Sequence, residues 1–351
     1  MSSAALRDGI LAVPVIDITS FRMPYADAAP RSEVVRRVDE AARRVGFMQV
    51  TGHGIPASTL SEFTSATDAF FALDPQVKAG YRCPPGVNRG YSPPKAESLA
   101  NSLGLASAAD LFEAINVGTS VADFPGLDLP EDVYAANVYP AEEVPGFEAA
   151  VMAWFTAAGR VARTMVRIFG VALGGREDYF APFTDHSIDV LRVNNYRLPA
   201  PDVQLEQDQL GMGAHTDYGI VTVLWADQVP GLEIHGADGK WHPVKPADGA
   251  LLVNLGDATA RWTNEEWIST LHRVAPPRVH GKLVPRRSAA YFHDGNVDAV
   301  IECLPSCVTK DNPARYEPVT VGEHLAAKLA GSRGGQLNPS AAREAARLRA
   351  T

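Results

Sequence analysis

The chain has 351 residues, 46% of them hydrophobic and 21% charged, with a formal net charge of −9. That length and composition suit a globular protein with a sizeable core in one or two domains. The acidic balance and the lack of a basic block argue against nucleic acid or an anionic membrane as the main partner.

No apolar run approaches the roughly 20 residues needed to span a bilayer. Met1–Asp8 lacks the charged segment and long apolar stretch of a secretion signal. The cysteines Cys83, Cys303 and Cys307 are too few for a disulfide scaffold. Cys303 and Cys307 read as small buried or half-buried thiols, since no second pair exists to make a metal site. Together these features predict a cytoplasmic protein; nothing in them fixes an oligomeric state.

In chain order, Val13–Ile18 reads as an opening strand. Ser32 can cap a helix carrying Val34, Val35, Val38, Ala42 and Val45 at helical spacing. Gly46 ends that helix, and Phe47–Val50 reads as a strand stopped by Gly52 and Gly54. A further helix is expected from a cap at Ser58 to Leu73. Cys83–Pro94 has the texture of a turn-rich loop. The longest helical pattern runs from about Phe147 to Phe169, with Val151, Trp154, Phe155, Ala158, Val161, Ala162, Met165 and Ile168 on one broad apolar face.

After Asp185 the pattern changes to short strands between turns, among them Val190–Tyr196, Leu232–Ile234, Ala250–Asn254 and a strand at Tyr291. Many short strands at regular spacing indicate a double-sheet jelly roll. The fold class expected is therefore α+β with a mainly β core: a jelly roll (double-stranded β-helix) with flanking helices and an N-terminal α/β lobe. The boundaries expected are 1–184 for the lobe, 185–298 for the catalytic jelly roll and 299–351 for a helical tail. The tail is helical from Val321, with a break at Ser332-Arg333-Gly334-Gly335.

Three short stretches carry the chemistry. His215-Thr216-Asp217 places two ligand types two residues apart, on one face if the segment is a β-strand. His272, in Leu271-His272-Arg273-Val274, can complete the set. Two imidazoles and one carboxylate bind one face of Fe(II) and leave the remaining positions open. Fourteen residues beyond His272 comes Arg286-Arg287-Ser288, leading into the apolar run Ala289–Phe292. A guanidinium offers a planar, permanently charged fork for a carboxylate, and Ser288 on the same strand face adds a hydroxyl. Each piece alone is common; the order and spacing make the set informative.

The whole chain resembles the isopenicillin N synthase-like branch of the Fe(II)/2-oxoglutarate-dependent oxygenases. Val13-Pro14-Val15-Ile16-Asp17 looks like that family's opening strand, and Gly46–Ile55 resembles its GFFxxxNHGI signature. Phe70-Phe71-Ala72-Leu73 with Lys78 resembles FFxLPxxxK. Gly90-Tyr91, Asp110 with Glu113, and Asn264 with Trp267 also fall in family patterns, and Asn312–Tyr316 looks like the closing PxxY. Met48, Gly52, Glu265-Glu266 and Arg197 depart from the usual residues, but none of them is a proposed metal ligand.

The resemblance implies Fe(II) as cofactor, with 2-oxoglutarate and O2 as cosubstrates. The activity implied is oxidation, most simply hydroxylation, of an unactivated C–H in a small molecule, with release of succinate and CO2. It further implies that Tyr196 and Asn194 support the oxo acid beside Arg286 and Ser288. Arg89 and Tyr91 lie in a loop that faces the site in relatives, and Leu232, Phe292 and Asp294 are candidate lining residues. Arg89 can hold a substrate carboxylate, although a solvated loop arginine is the plainer reading.

His53 is expected to be structural by analogy. His186, His235, His242, His280, His293 and His324 lack ligand spacing and read as surface or packing residues. Two alternatives stay open on the sequence: an oxidase of the same fold that does not use 2-oxoglutarate, and a non-catalytic binding protein, against which the intact triad argues.

Overall fold

The computed structural model describes residues 6–7, 10–23, 27–84, 86–104, 108–197 and 209–333. Its core is two sheets facing each other across a cavity. The strands that build them are β1 (Val15–Asp17), β2 (Phe47–Thr51), β3 (Gly90–Ser92), β4 (Glu113–Gly118), β5 (Asp189–Tyr196) and β6 (Met212–His215). They continue with β7 (Val221–Ala226), β8 (Leu232–His235), β9 (Trp241–Pro243), β10 (Leu251–Leu255), β11 (His272–Val274) and β12 (Arg286–His293). The major sheet runs β1-β2-β10-β7-β12-β5-β4-β3 and the minor sheet β9-β8-β11-β6. Among the described residues, only β1 and β2 pair in parallel. This is the expected jelly roll. Its major sheet draws strands from both sides of residue 184.

The alternation of side chains on the major sheet decides what faces what. On β5 and β12, Leu191, Val193, Ala289 and Tyr291 point outward into the main hydrophobic core. The even-numbered neighbours Arg192, Asn194, Tyr196, Arg286, Ser288 and Phe292 line the cavity instead. Every residue of β5 is buried, so the strand is covered on both faces. The outer face of the sheet is covered at β7 and β12 by α3 (Phe147–Ala172), which buries all eight residues of its expected apolar face. The smaller helices α1 (Ala28–Arg44) and α2 (Ala57–Ala72) pack on α3. Gly159 of α3 lets Tyr291 approach: a Cβ there would sit 2.5 Å from the tyrosine oxygen.

Three local expectations are corrected. The first helix begins at Ala28, a turn before Ser32, whose hydroxyl donates back to the Ala28 carbonyl at 3.0 Å. Pro30 is tolerated there because it falls in the first turn, where its missing N–H has no intrahelical partner to lose. Within the stretch expected to be all loop, Gly90–Ser92 forms the edge strand β3, paired with β4. Finally, β6 stops at His215, so Asp217 lies just past the strand rather than on it.

Two further helices brace the site, α4 (Asp257–Trp262) and α5 (Val321–Ser332). The start of α5 is fixed by a capping box, Thr320 and Glu323 bonding each other's backbone N–H. Gly334-Gly335 of the expected break lies outside the described residues. The cysteines are all free, Cys303 and Cys307 buried and Cys83 half-buried. No described helix is long and apolar enough to cross a membrane.

Candidate functional site

His215 ends β6 and His272 begins β11, and the two are direct partners in that antiparallel ladder. Their rings lie 4.2 Å apart, centroid to centroid, with Phe47 packed T-shaped against His272. Each Nδ1 faces a backbone carbonyl two residues back: Gly213 at 2.8 Å for His215 and Thr270 at 3.1 Å for His272. Those acceptors place the proton on Nδ1 and leave Nε2 as a lone-pair donor aimed inward. Burial, with His272 adding to it, pushes His215 down to about 3, so its imidazole is neutral at pH 7.

Asp217 supplies the third group although it is off the strand. Its backbone carbonyl accepts from Asp257 N–H at 2.8 Å, which fixes the turn. Its Oδ2 accepts from Thr222 Oγ1 at 2.5 Å and Asn254 Nδ2 at 2.6 Å. With Oδ2 so occupied, Oδ1 turns to the imidazoles, 3.9 Å from His215 Nε2 and 3.7 Å from His272 Nε2. One nitrogen or oxygen of each of the three residues lies within 4.8 Å of the other two, close enough to hold one metal ion, and all three residues are buried. Thr222 and Asn254 escaped the sequence reading. Their signal was faint: one polar residue at a cavity-facing position in each of two apolar strands.

The cavity above this cluster has a volume of about 770 Å³. At one end stands Arg286, 2% exposed, paired in register with Tyr196 across β12 and β5. Its guanidinium carbon lies 5.2 Å from the Tyr196 ring centre. Nε donates to the Val229 carbonyl at 3.2 Å, while Nη1 is buried without a partner. Among the described residues no carboxylate comes within 4.0 Å of this guanidinium. A buried, uncompensated cation is costly, so the pocket is built for an anion. Ser288 and Asn194 are the next cross-strand pair inward, both buried. A group of two imidazoles, one carboxylate oxygen and a nearby orphaned guanidinium therefore fits both Fe(II) and a chelating dicarboxylate.

The remaining candidates divide. Phe292 and Asp294 line the cavity on the side away from Arg286. Asp294 is buried, and burial, with Asp189 and Asp217 nearby, raises its carboxyl well above the usual range. Leu232 also lines the cavity, but next to Gly231, against which the Arg286 side chain packs. Tyr91 reaches the cavity wall, yet its hydroxyl donates to Glu113 at 2.6 Å, beside the buried Lys78–Glu113 pair at 2.7 Å. Arg89 is not the solvated loop residue the sequence suggested: it is 3% exposed. Its Nη atoms donate to the carbonyls of Asn88, Thr119 and Val133, and Gly118 leaves the room it occupies. Burial lowers Arg89 to about 10, which still leaves it charged at pH 7.

The other histidines do not join the cluster. His53 bonds the Gly249 carbonyl and the Ile55 N–H, a structural role. His293 is fully buried on the outward face of β12, with Nδ1 2.7 Å from Asp189.

Two buried carboxylates hold the segment from Gly213 to Asp217 from behind. Asp110 accepts from Gly213 N–H at 2.7 Å and Leu99 N–H at 2.9 Å. Asp257 accepts from Thr216 Oγ1 at 3.0 Å and pairs with Lys328 of α5 at 2.7 Å.

Two family models match this sequence: the N-terminal model of the non-haem dioxygenases in morphine synthesis over residues 13–142, and the 2OG-Fe(II) oxygenase superfamily over residues 188–295. Among curated proteins, the 2-oxoglutarate-Fe(II) type oxidoreductase hxnY of Emericella nidulans is 31% identical over 318 residues, covering 88% of this chain and 87% of that one. Validamycin A dioxygenase of Streptomyces hygroscopicus subsp. limoneus is 29% identical, with 90% and 85% covered. Among solved structures, a full-length Neurospora crassa protein in complex with alpha-KG superposes with a TM-score of 0.79 at 28% identity, covering 94% of this chain and 99% of that one.

Proposed function

Because the chain belongs to the 2OG-Fe(II) oxygenase superfamily and is a 2-oxoglutarate-dependent dioxygenase, we propose that His215, Asp217 and His272 hold its Fe(II) and that Arg286 receives the far carboxylate of 2-oxoglutarate. The observation that carries this assignment is the single free carboxylate oxygen of Asp217 facing two inward Nε2 atoms. Use of 2-oxoglutarate sets aside the same-fold oxidase that dispenses with it.

The reaction we infer is hydroxylation of an unactivated C–H in a small molecule. Fe(II) with 2-oxoglutarate and O2 supplies the oxidation: one oxygen atom enters the C–H bond, and the other ends in succinate as CO2 leaves. The protein's own groups bind, orient and exclude water. Arg286 Nη1 donates to the distal carboxylate of the oxo acid, Ser288 and Tyr196 add hydroxyls beside it, and Asn194 holds the adjoining wall. Leu232 packs the oxo-acid end, by its position next to Arg286. Phe292 and Asp294 line the substrate side, and Arg89 and Tyr91 line the cavity near the β3 edge. The Gly213 and Thr270 carbonyls keep both imidazoles in the tautomer that presents Nε2.

The net charge of −9 and the lack of a basic block support a small-molecule partner rather than nucleic acid or a membrane surface. Free thiols support a cytoplasmic setting. The test is O2-dependent release of succinate from 2-oxoglutarate by the Fe(II)-loaded protein. Asp217→Ala is expected to abolish it while circular dichroism stays unchanged; turnover surviving that change sinks the metal assignment.

A further inference from the structure

The cavity wall beyond the oxo-acid end holds polar groups that neither the iron nor 2-oxoglutarate uses. Asn116 on β4 and Arg192 on β5 are direct cross-strand partners, one step past Asn194 along the cavity-facing row. Asn116 is 2% exposed, yet its Oδ1 is enclosed without a donor, and no hydrogen bond from a described residue reaches its amide. A buried amide oxygen left unpaired is costly, so the site is suited to a donor from a bound molecule. Arg192 is also buried; Nε donates to Asn194 Oδ1 at 3.1 Å and Nη2 to Glu97 Oε1 at 2.8 Å. Among the described residues its Nη1 has no partner.

The charge on this wall is one-sided. Glu97 is the carboxylate shared by Arg192 and Arg333, the latter at 3.7 Å. Arg89, another buried guanidinium lining the same cavity, has only carbonyl acceptors. Arg82 and Asp132 at the exposed rim offset each other. On this wall Arg89, Arg192 and Arg333 have one carboxylate, Glu97, among them, and the buried Asp294 on the substrate side is pushed toward its neutral form, so positive charge is in excess.

We propose that Asn116 and Arg192 form the recognition subsite for the prime substrate, and that this substrate is an anion carrying a hydrogen-bond donor close to its acidic group. The proposal rests on the reading of the iron site given above. Arg192 Nη1 donates to the acid, and Asn116 Oδ1 accepts from the neighbouring N–H or O–H. Directly opposed side chains on paired strands start only about 5 Å apart, so the two substrate groups sit two or three bonds from each other. A 2-hydroxy acid or an N-acyl amino acid has that arrangement.

The experiment is a matched panel tested on the full-length Fe(II)-loaded protein. It consists of 2-hydroxy acids and N-acyl amino acids with aliphatic or aromatic side chains, each beside its uncharged methyl ester. The readout is stimulation of 2-oxoglutarate consumption above the substrate-free rate. Acids are expected to stimulate and esters not. Asn116→Leu is expected to raise KM for the stimulating acid about 10-fold, Arg192→Gln by more, and Arg192→Lys by less than Arg192→Gln. Stimulation by esters as strong as by acids, stimulation by none of the acids, or an unchanged KM in both Asn116→Leu and Arg192→Gln overturns the proposal. Anaerobic 2-oxoglutarate titration of the wild type separates the two readings. A normal visible band with unselective stimulation removes only the subsite, whereas a missing band removes the iron-site assignment itself.

Discussion

His215 and His272 are direct cross-strand partners on the minor sheet, each with Nδ1 on a backbone carbonyl and Nε2 turned toward Asp217. Two residues 57 positions apart thus meet by strand register, and their ring orientation is set by main chain rather than by side chains that a substitution could remove. The adjustable part of the centre is therefore Asp217, whose orientation depends on Thr222 and Asn254.

Removing those two donors is expected to loosen the metal without unfolding the protein. Thr222→Val with Asn254→Leu frees Oδ2 to compete with Oδ1 for direction, and an outer support of this kind is typically worth about 10–100-fold in metal affinity. Anaerobic Fe(II) titration measures it. Affinity within twofold of the wild type contradicts the role given to these residues.

Arg286 is expected to act on one end of the oxo acid only. Arg286→Met removes a charge-assisted pair and should raise the KM for 2-oxoglutarate by about 10–100-fold. Arg286→Lys keeps the charge without the fork and should fall between. A 2-oxo monocarboxylic acid, which has no distal carboxylate, should bind wild type and Arg286→Met alike. A large difference for that acid would place Arg286 elsewhere in the binding scheme.

Behind the His215–Asp217 segment, Lys328 and Asp257 form a pair whose side chains are only 2% and 3% exposed. Lys328→Met leaves the Asp257 carboxylate without its cation in the interior, which costs about 3–5 kcal/mol. Urea unfolding is expected to show that loss, with Asp257→Leu in the same chain restoring part of it. A loss under about 1 kcal/mol contradicts the burial argument.

The pH dependence of stability has a definite sign at His324. Its Nε2 lies 3.1 Å from the Tyr218 carbonyl, and burial lowers it to about 4. A histidine depressed in the folded state takes its proton first in the unfolded chain. Stability is therefore full above about 6.5 and is lost as pH falls toward 4, by roughly 3 kcal/mol. Between pH 7 and 4.5 the metal-free wild type is expected to lose more stability than His324→Gln, whose amide can still donate to Tyr218. Equal losses contradict the assignment.

What could be read in the sequence follows from periodicity. The alternation that puts Arg286 and Ser288 on one face of β12, and Asn194 and Tyr196 on one face of β5, is a local property with period two. So is the apolar face of α3, at the helical period. What could not be read depends on partners far away in the chain. Asp217 seemed to need the strand to point correctly, yet a turn held by Asp257 N–H and two donors to Oδ2 does the same work. Arg89 looked like an ordinary loop arginine because nothing nearby shows that Gly118 clears a buried slot for it. The start of α1 lies before Ser32 because Ser32 bonds back to Ala28 from inside the first turns, where Pro30 does no harm.

The most direct measurement is an anaerobic titration of 2-oxoglutarate into the Fe(II)-loaded protein, followed by visible absorption, with Asp217→Ala and Arg286→Met alongside. The account predicts a weak charge-transfer band at one oxo acid per iron in the wild type. It predicts no band in Asp217→Ala, and in Arg286→Met a band only at about 10–100-fold higher concentration. A band of normal strength and affinity in Asp217→Ala would contradict it.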